Sequence, residues 1–281
     1  MSGGIIKLEN VSWAYSRAQD WALKNINMTI GEGECVAVMG ENGAGKTTLC
    51  RLLNGLIPHS LEGKLVGTVT VDGMETTSNT VAQLAEKVGM AFEDPQTQLF
   101  TARVSDEIAF ALENVLMSPG EIREKVRRAL DIAGLSAYAD YAPSSLSGGQ
   151  KQRLAIAAAV AMAGKILVLD EPASQLDPAG AREVLSLIRD LRDRTRLTVV
   201  MATNSGEEAA EFADRICVLK NGSLAALDSP RRIFADLPDE YAITAPPVAE
   251  FACRMAALGG PLSRFPVNLS EAEESVVEWY E

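Results

Sequence analysis

The 281-residue chain is 47% hydrophobic and 23% charged, a composition that excludes a disordered chain. Its 26 basic and 38 acidic residues give a net charge of −12, which disfavours non-specific binding to nucleic-acid phosphates. A single histidine, His59, excludes a multi-histidine metal centre, and the four scattered cysteines (Cys35, Cys50, Cys217, Cys253) form no Cys-x-x-Cys pair and read as small buried hydrophobes.

In chain order, residues 6–11 and 26–30 alternate in the manner of strands. Residues 35–39 form a short, nearly continuous apolar run, which suits a buried parallel strand. A glycine-rich loop follows, then a helix over about 46–53 that Gly55 and Pro58 end; His59 falls in the next turn. Residues 65–71 resume strand alternation and turn at Asp72-Gly73. From about 105 to 164 the pattern is helical, with Ser118-Pro119-Gly120-Glu121 as a capping box and Gly134 as a stop. A second buried strand over 166–169 leads to a helix (180–192), a strand (197–203), a helix (207–213) and a strand (216–219), with a hairpin turn at Asn221-Gly222. This alternation predicts a parallel α/β sheet carrying a helical insertion. Residues 236–281 hold nine acidic and two basic residues, hence −7 of the −12; Pro246-Pro247 reads as a linker and 248–258 as a short helix. The longest apolar run, 154–164, has 11 residues, short of the ~20 a membrane-spanning helix needs. Residues 1–7 lack the apolar core of a signal peptide. The expectation is a cytoplasmic protein, or one held at a membrane only through a partner.

Gly40-Glu41-Asn42-Gly43-Ala44-Gly45-Lys46-Thr47 fits G-x-x-x-x-G-K-[ST], between a predicted strand and a predicted helix. Glycines let the backbone wrap phosphate with its N–H groups inward, and the helix adds its positive N-terminal end. Lys46 would bind the β- and γ-phosphates, and the Thr47 hydroxyl would bind Mg²⁺. The apolar strand ending in Asp170-Glu171 would place Asp170 beside that loop to hold the Mg²⁺ shell, with Glu171 as general base for an attacking water.

Leu146-Ser147-Gly148-Gly149-Gln150, followed by Lys151-Gln152-Arg153 and a helix, is the most specific string in the chain. With these three elements the sequence resembles an ABC-transporter nucleotide-binding domain over about residues 4–235. The resemblance implies a P-loop NTPase (RecA-like) α/β core, an N-terminal antiparallel β-subdomain, a helical signature subdomain (about 95–163) and an acidic C-terminal extension (236–281). It implies ATP and Mg²⁺ as cofactors and a head-to-tail dimer. In such a dimer Ser147, Gly148, Gly149 and Gln150 would cap the γ-phosphate held by the second subunit. ATP in this chain's own site would meet Gly40, Asn42, Gly43, Ala44, Gly45, Lys46, Thr47 and Thr48. Tyr15 falls at the adenine-stacking position, where a merely packed tyrosine is the other reading. Ser174-Gln175-Leu176-Asp177 matches the D-loop, with Asp177 near the dimer interface.

Within the family, Phe92-Glu93-Asp94-Pro95-Gln96-Thr97-Gln98-Leu99-Phe100 resembles the Q-loop of energy-coupling factor (ECF) importers. The 57–63 turn and the Ala245-Pro246-Pro247-Val248 and Phe265-Pro266-Val267 segments resemble ECF features as well. The resemblance implies an ATPase at the cytoplasmic face of a membrane that energises import of a vitamin or metal ion. Its partners would be a second ATPase subunit, a transmembrane coupling subunit and a substrate-binding membrane subunit. Two positions depart from the family. Glu93 stands where the Q-loop has glutamine; a carboxylate can replace that residue's oxygen as a ligand of Mg²⁺ but not its N–H donor. Asn204 stands where the switch histidine should be, so the distal contact to γ-phosphate is lost. These departures predict a partly degenerate own site, with benign drift and full activity as the other reading, and favour a heterodimer over a homodimer, which stays open. The ATPase of a binding-protein-dependent importer, and a nucleotide-binding structural subunit with little hydrolysis, stay open as alternatives.

Overall fold

The two buried apolar runs, 35–39 and 166–169, become strands of one sheet with a third buried strand, 198–202, between them. The computed structural model describes residues 4–113, 117–236, 241–257 and 265–280. The start of the segment read for a signal peptide (1–3) and Leu258, the end of the helix expected over 248–258, lie outside the described residues.

Strands β1 (Ile6–Tyr15), β2 (Leu23–Ile30), β4 (Gly63–Val71) and β5 (Met74–Glu75) form an antiparallel sheet ordered β2-β1-β4-β5. In β1 the inward residues are Ile6, Leu8, Val11 and Trp13, a pattern that skips a beat. The register shifts between Leu8 and Val11 against β2, and Asn10 has a positive φ of 52°. A bulge there lets both halves of the strand face the core.

The second sheet has six strands in the order β10-β9-β3-β8-β7-β6. They are β3 (Cys35–Met39), β6 (Val88–Ala91), β7 (Ile166–Asp170), β8 (Thr198–Ala202), β9 (Arg215–Lys220) and β10 (Ser223–Asp228). All neighbours are parallel except the β9–β10 hairpin, which turns at Asn221 and Gly222, both with positive φ. Every residue of β3, β6, β7 and β8 is buried. Helices on both faces hide these strands, so they carry no polar–apolar alternation.

Helix α1 (Lys46–Leu53) is the joint between the sheets. Its Leu49, Cys50, Leu52 and Leu53 lie in one core with Ile6, Leu8 and Val69 of the first sheet and Val36, Val38 and Val168 of the second. Two short helices, α2 (Leu56–His59) and α3 (Val81–Ala85), flank it. His59 therefore ends a helical turn, where its Nε2 lies 2.7 Å from the Thr76 carbonyl oxygen. Helices α4 (Val104–Glu113), α5 (Pro119–Ile132) and α6 (Gly148–Met162) build a separate apolar core around Val104, Ile108, Leu130 and Leu154. The Ser118–Glu121 capping box is formed, and Gly134 takes a left-handed φ of 67° just past α5.

The helix expected over 180–192 is longer: α7 runs Pro178–Thr195, because Asp177 caps it by accepting from Gly180 N at 2.7 Å. Helices α8 (Gly206–Phe212) and α9 (Pro230–Ala235) precede the C-terminal helices α10 (Pro247–Ala257) and α11 (Leu269–Tyr280). Pro246-Pro247 is not a free linker. Pro247 opens α10, and Tyr241, Ile243, Ala249 and Val267 pack with Ile216, Val218 and Phe234 of the main body. Arg231 of α9 ties the start of α11 by donating to Glu271 Oε1 at 2.8 Å. One cysteine also departs from expectation. Cys35, Cys50 and Cys217 are buried, and burial pushes the Cys35 and Cys217 thiols up to about 12, but Cys253 is exposed on α10.

The contact between α8 and the C-terminal segment is close enough to test. A Cβ on Gly206 would collide with the Thr244 carbonyl oxygen and lie 3.0 Å from Ala245 C and Pro246 N. These are backbone atoms that cannot swing aside. Gly206→Ala is expected to cost about 1–3 kcal/mol and to lower the melting temperature by about 2–6 °C, read by calorimetry. An unchanged melting temperature would mean that the segment is not packed against α8.

Candidate functional site

Four parallel strands end at one edge of the sheet, and the loops that leave them there come together. β3 runs into the glycine-rich loop and α1, β6 into Phe92-Glu93, β7 into Glu171 and β8 into Thr203-Asn204. The register pairs Val38 and Asp170 with Ala202, and Ala91 with Leu169. Residues distant in sequence thus line one cavity of about 590 Å³, among them Tyr15, Gly43, Gly45, Lys46, Thr47, Thr48, Glu93, Glu171 and Asn204. Gly40 begins the loop at a φ of 147°, and a Cβ there would collide with the Leu219 carbonyl oxygen, so only glycine fits.

Lys46 is 6% exposed. Its ammonium donates to Gly40 O at 2.9 Å, Glu41 O at 3.3 Å and Asn204 Oδ1 at 2.9 Å, and lies 3.7 Å from Glu171 Oε1. Asn204 also donates through Nδ2 to Glu171 Oε1 at 2.6 Å, so one amide bridges the lysine and the carboxylate. The Thr47 hydroxyl donates to Asp170 Oδ1 at 3.1 Å. Burial raises the Asp170 carboxyl above its ordinary range against the opposing Thr47 hydrogen bond, and burial raises Glu171 against the opposing charge of Lys46. The Tyr15 hydroxyl lies 3.0 Å from Thr48 Oγ1, and its ring meets Trp13 edge-on at 5.7 Å; it is both packed and on the cavity wall.

The family model described as ABC transporter matches residues 23–174. The chain belongs to the ABC transporter family. It is 43% identical over 234 residues to the energy-coupling factor transporter ATP-binding protein EcfA1 of Lacticaseibacillus paracasei, covering 83% of this chain and 82% of that protein. Its fold is similar to cbiO1 from Clostridium perfringens, part of the ABC transporter complex cbiONQ, with a TM-score of 0.76, 32% identity, and 92% and 98% of the two chains covered. It is also similar to the ATP-binding cassette MJ0796, a dimer bound to ADP and Pi, with a TM-score of 0.70, 30% identity, and 80% and 99% covered. The P-loop NTPase fold and membership among ABC ATPases most like those of ECF importers follow from these similarities.

In this ABC ATPase the signature residues do not line the cavity around Lys46. Ser147 is exposed at the N-terminus of α6, where its hydroxyl accepts from Gln150 N at 3.3 Å and the Gln150 side chain accepts from Ser147 N at 2.9 Å. Gly148 and Gly149 follow in the first turn. Ala44 is buried in the P-loop, and Asn42 lies 3.5 Å from Asn204 Nδ2. A second cavity of about 550 Å³ sits behind the loop, between Gly40, Glu41, Asn204 and Ala242, Ile243 and Thr244 of the C-terminal segment.

Several supporting residues escaped the sequence reading. Gln98 accepts from Phe92 N at 2.8 Å and donates to Met90 O at 3.0 Å, and the buried Gln152 of α6 donates to Phe92 O at 3.3 Å. Together they fix the exit of β6. Gln175 donates to Glu93 Oε1 at 3.2 Å. Thr203 donates to Glu208 Oε2 at 2.6 Å and accepts from Ser205 N at 3.0 Å, bracing the loop that carries Asn204. These glutamines sit inside quoted motifs, but motif spacing does not reveal which backbone atoms they reach.

Lys46→Ala removes the one ammonium of this cavity without opening the apolar core. ATP affinity is expected to fall by tenfold or more, an order of magnitude for one charge-assisted contact, with ADP weakened less; unchanged ATP affinity in a binding titration would contradict the assignment.

Glu208 offers a test of the brace by pH. Burial raises its carboxyl above the ordinary range, partly offset by the Thr203 hydroxyl. The folded state therefore favours the protonated form, so this group's contribution to stability is greatest at low pH and is lost as pH rises through the raised value. Glu208→Gln, permanently neutral, should melt above the parent at neutral pH, with the gain vanishing below the ordinary carboxylate range. A gain independent of pH would contradict this.

Proposed function

We propose that this chain is the ATP-hydrolysing subunit of an ECF-type importer, held at the cytoplasmic face of the membrane through its protein partners. It acts in a head-to-tail dimer whose two sites are unequal. The observation that carries the inequality is the pairing, in one chain, of an intact signature with an altered surround of Lys46. Glu93 and Asn204 belong to this chain's own site; Ser147 and the Gly148 and Gly149 amides complete the partner's. The membrane partners are a coupling subunit and a substrate-binding subunit for a vitamin or metal ion. The second ATPase is a paralogue that keeps the usual glutamine and histidine. The acidic extension supports this dimer. No helix among the described residues is long and apolar enough to cross a membrane, so anchoring falls to those partners.

The donors fit a hard divalent cation. Thr47 Oγ1 and Asp170 Oδ1 already lie 3.1 Å apart, and Glu93 adds a carboxylate on the same cavity. Mg²⁺, when bound, neutralises charge on the phosphate oxygens. The chain's own residues do the rest. Lys46 holds the terminal phosphates, and Tyr15 packs against the base. Glu171 takes the proton of the attacking water. Asn204 orients Glu171 through its Nδ2 donor but is too short to reach the γ-phosphate as a histidine would.

Losing one preorganised donor at a reacting centre costs about 10²–10³ in rate, so the partner's site is the fast one. In the assembled complex, Ser147→Arg should nearly abolish ATP turnover, while Glu171→Gln in this chain reduces it much less. The lost Ser147 cap costs about 1 kcal/mol, too little to unfold the chain. Equal loss with both substitutions would refute the unequal sites. Failure of the tagged chain to co-purify with a transmembrane subunit would refute the importer reading.

A further inference from the structure

Among the described residues that line the cavity, Lys46 is the only cation. It faces Glu93 and Glu171, with Asp170 beneath at 4% exposure. Three carboxylates thus share the surroundings of one ammonium, whose Nζ lies 3.7 Å from Glu171 Oε1. Asn204 brings no charge, and the only histidine of the chain is His59, set against Thr76.

Glu93 is exposed at the mouth of this cavity, with one side-chain partner among the described residues. Gln175, on the loop between β7 and α7, donates its Nε2 to Glu93 Oε1 at 3.2 Å. From the other side, Phe92 N and O are held by Gln98 and Gln152. The exposed carboxylate is thus directed to the wall of the cavity by one surface hydrogen bond, an unfavourable place for an anion unless a cation joins it.

Free nucleotide is a polyanion, and the carboxylate repels it. A nucleotide carrying a hard divalent cation meets the same carboxylate as a ligand. One side chain thus penalises one form and favours the other, whereas a neutral glutamine would do neither to the same degree. We propose that Glu93, stationed by Gln175, makes the metal complex of ATP, and not free ATP, the form that this site accepts. This rests on the reading of the cavity as the ATP site and adds to it a selection between two forms of the ligand.

The test is ATP affinity of the purified chain, measured by titration calorimetry in EDTA and in Mg²⁺ at one ionic strength. A unit charge acting over several ångströms at an exposed, solvent-screened position changes affinity by about three- to tenfold. The ratio of Kd in EDTA to Kd in Mg²⁺ should therefore be larger in the parent than in Glu93→Gln by about that factor. In EDTA, Glu93→Gln should bind ATP more tightly than the parent. Gln175→Ala, a residue on no wall of the cavity, should move the ratio part of the way toward that of Glu93→Gln. Equal ratios in parent and Glu93→Gln would overturn the proposal, as would weaker binding of Glu93→Gln in EDTA. A parental ratio in Gln175→Ala would overturn the role given to Gln175. Lys46→Ala separates the two levels: if it binds ATP as the parent does, the ATP-site reading has failed. If it binds weakly while the ratios are equal, only the selection has failed.

Discussion

An ammonium group shut inside a protein needs partners for its protons, and Lys46 has them in the Gly40 and Glu41 carbonyls and the Asn204 amide oxygen. Leaving such an ion unpaired at 6% exposure would cost several kcal/mol. This requirement binds together parts of the chain that are 158 residues apart, since Lys46 begins α1 and Asn204 follows β8. It also dictates the sheet. Only parallel neighbours bring the ends of β3, β7 and β8 to one edge, and only a helix buried between two sheets holds the lysine's base at that edge. The bulge in β1, the glycine at 40 and the fully apolar central strands serve the same placement.

The signature obeys a different constraint. Ser147 and Gln150 satisfy each other's backbone donors, so α6 begins without help from the rest of the chain. The first turn is therefore preformed, with Ser147 and Gly148 exposed and Gly149 buried. Its attachment to the main body is specific. Gln152 reaches the backbone at Phe92, and Arg153 pairs with Glu183 of α7 at 3.1 Å while donating to Ala133 O at 2.8 Å. The helical unit is thus tied to the exit of β6, where Glu93 sits, and to α7.

Much of this was legible in the residues. The runs 35–39 and 166–169 are too apolar and too short to be anything but buried strands, and the glycine, lysine and acid at their ends carry their chemistry in their spacing. The 118–121 capping box and the Asn221-Gly222 turn are local devices that need no tertiary help. What escaped the sequence depends on tertiary partners. β6 is four residues with a glycine at its second position, and it becomes a strand because β7 pairs with it. Pro246-Pro247 looks like a linker until Gly206 lets its backbone approach. Cys253 reads as buried by residue type, yet it is exposed on α10. The roles of Gln98, Gln152 and Gln175 follow from which oxygen or nitrogen each meets, which no spacing encodes.

In the proposed dimer this chain supplies a working signature to its partner while its own ATP site is slow. The most direct measurement labels each site separately. The reconstituted complex is loaded with an azido-ATP carrying either an α- or a γ-phosphate label, allowed about one turnover, then cross-linked by light, and the two ATPase subunits are separated. With unequal sites the γ-label persists on this chain and is lost from its partner, with α-label on both. Equal loss of the γ-label from the two subunits would contradict that inequality.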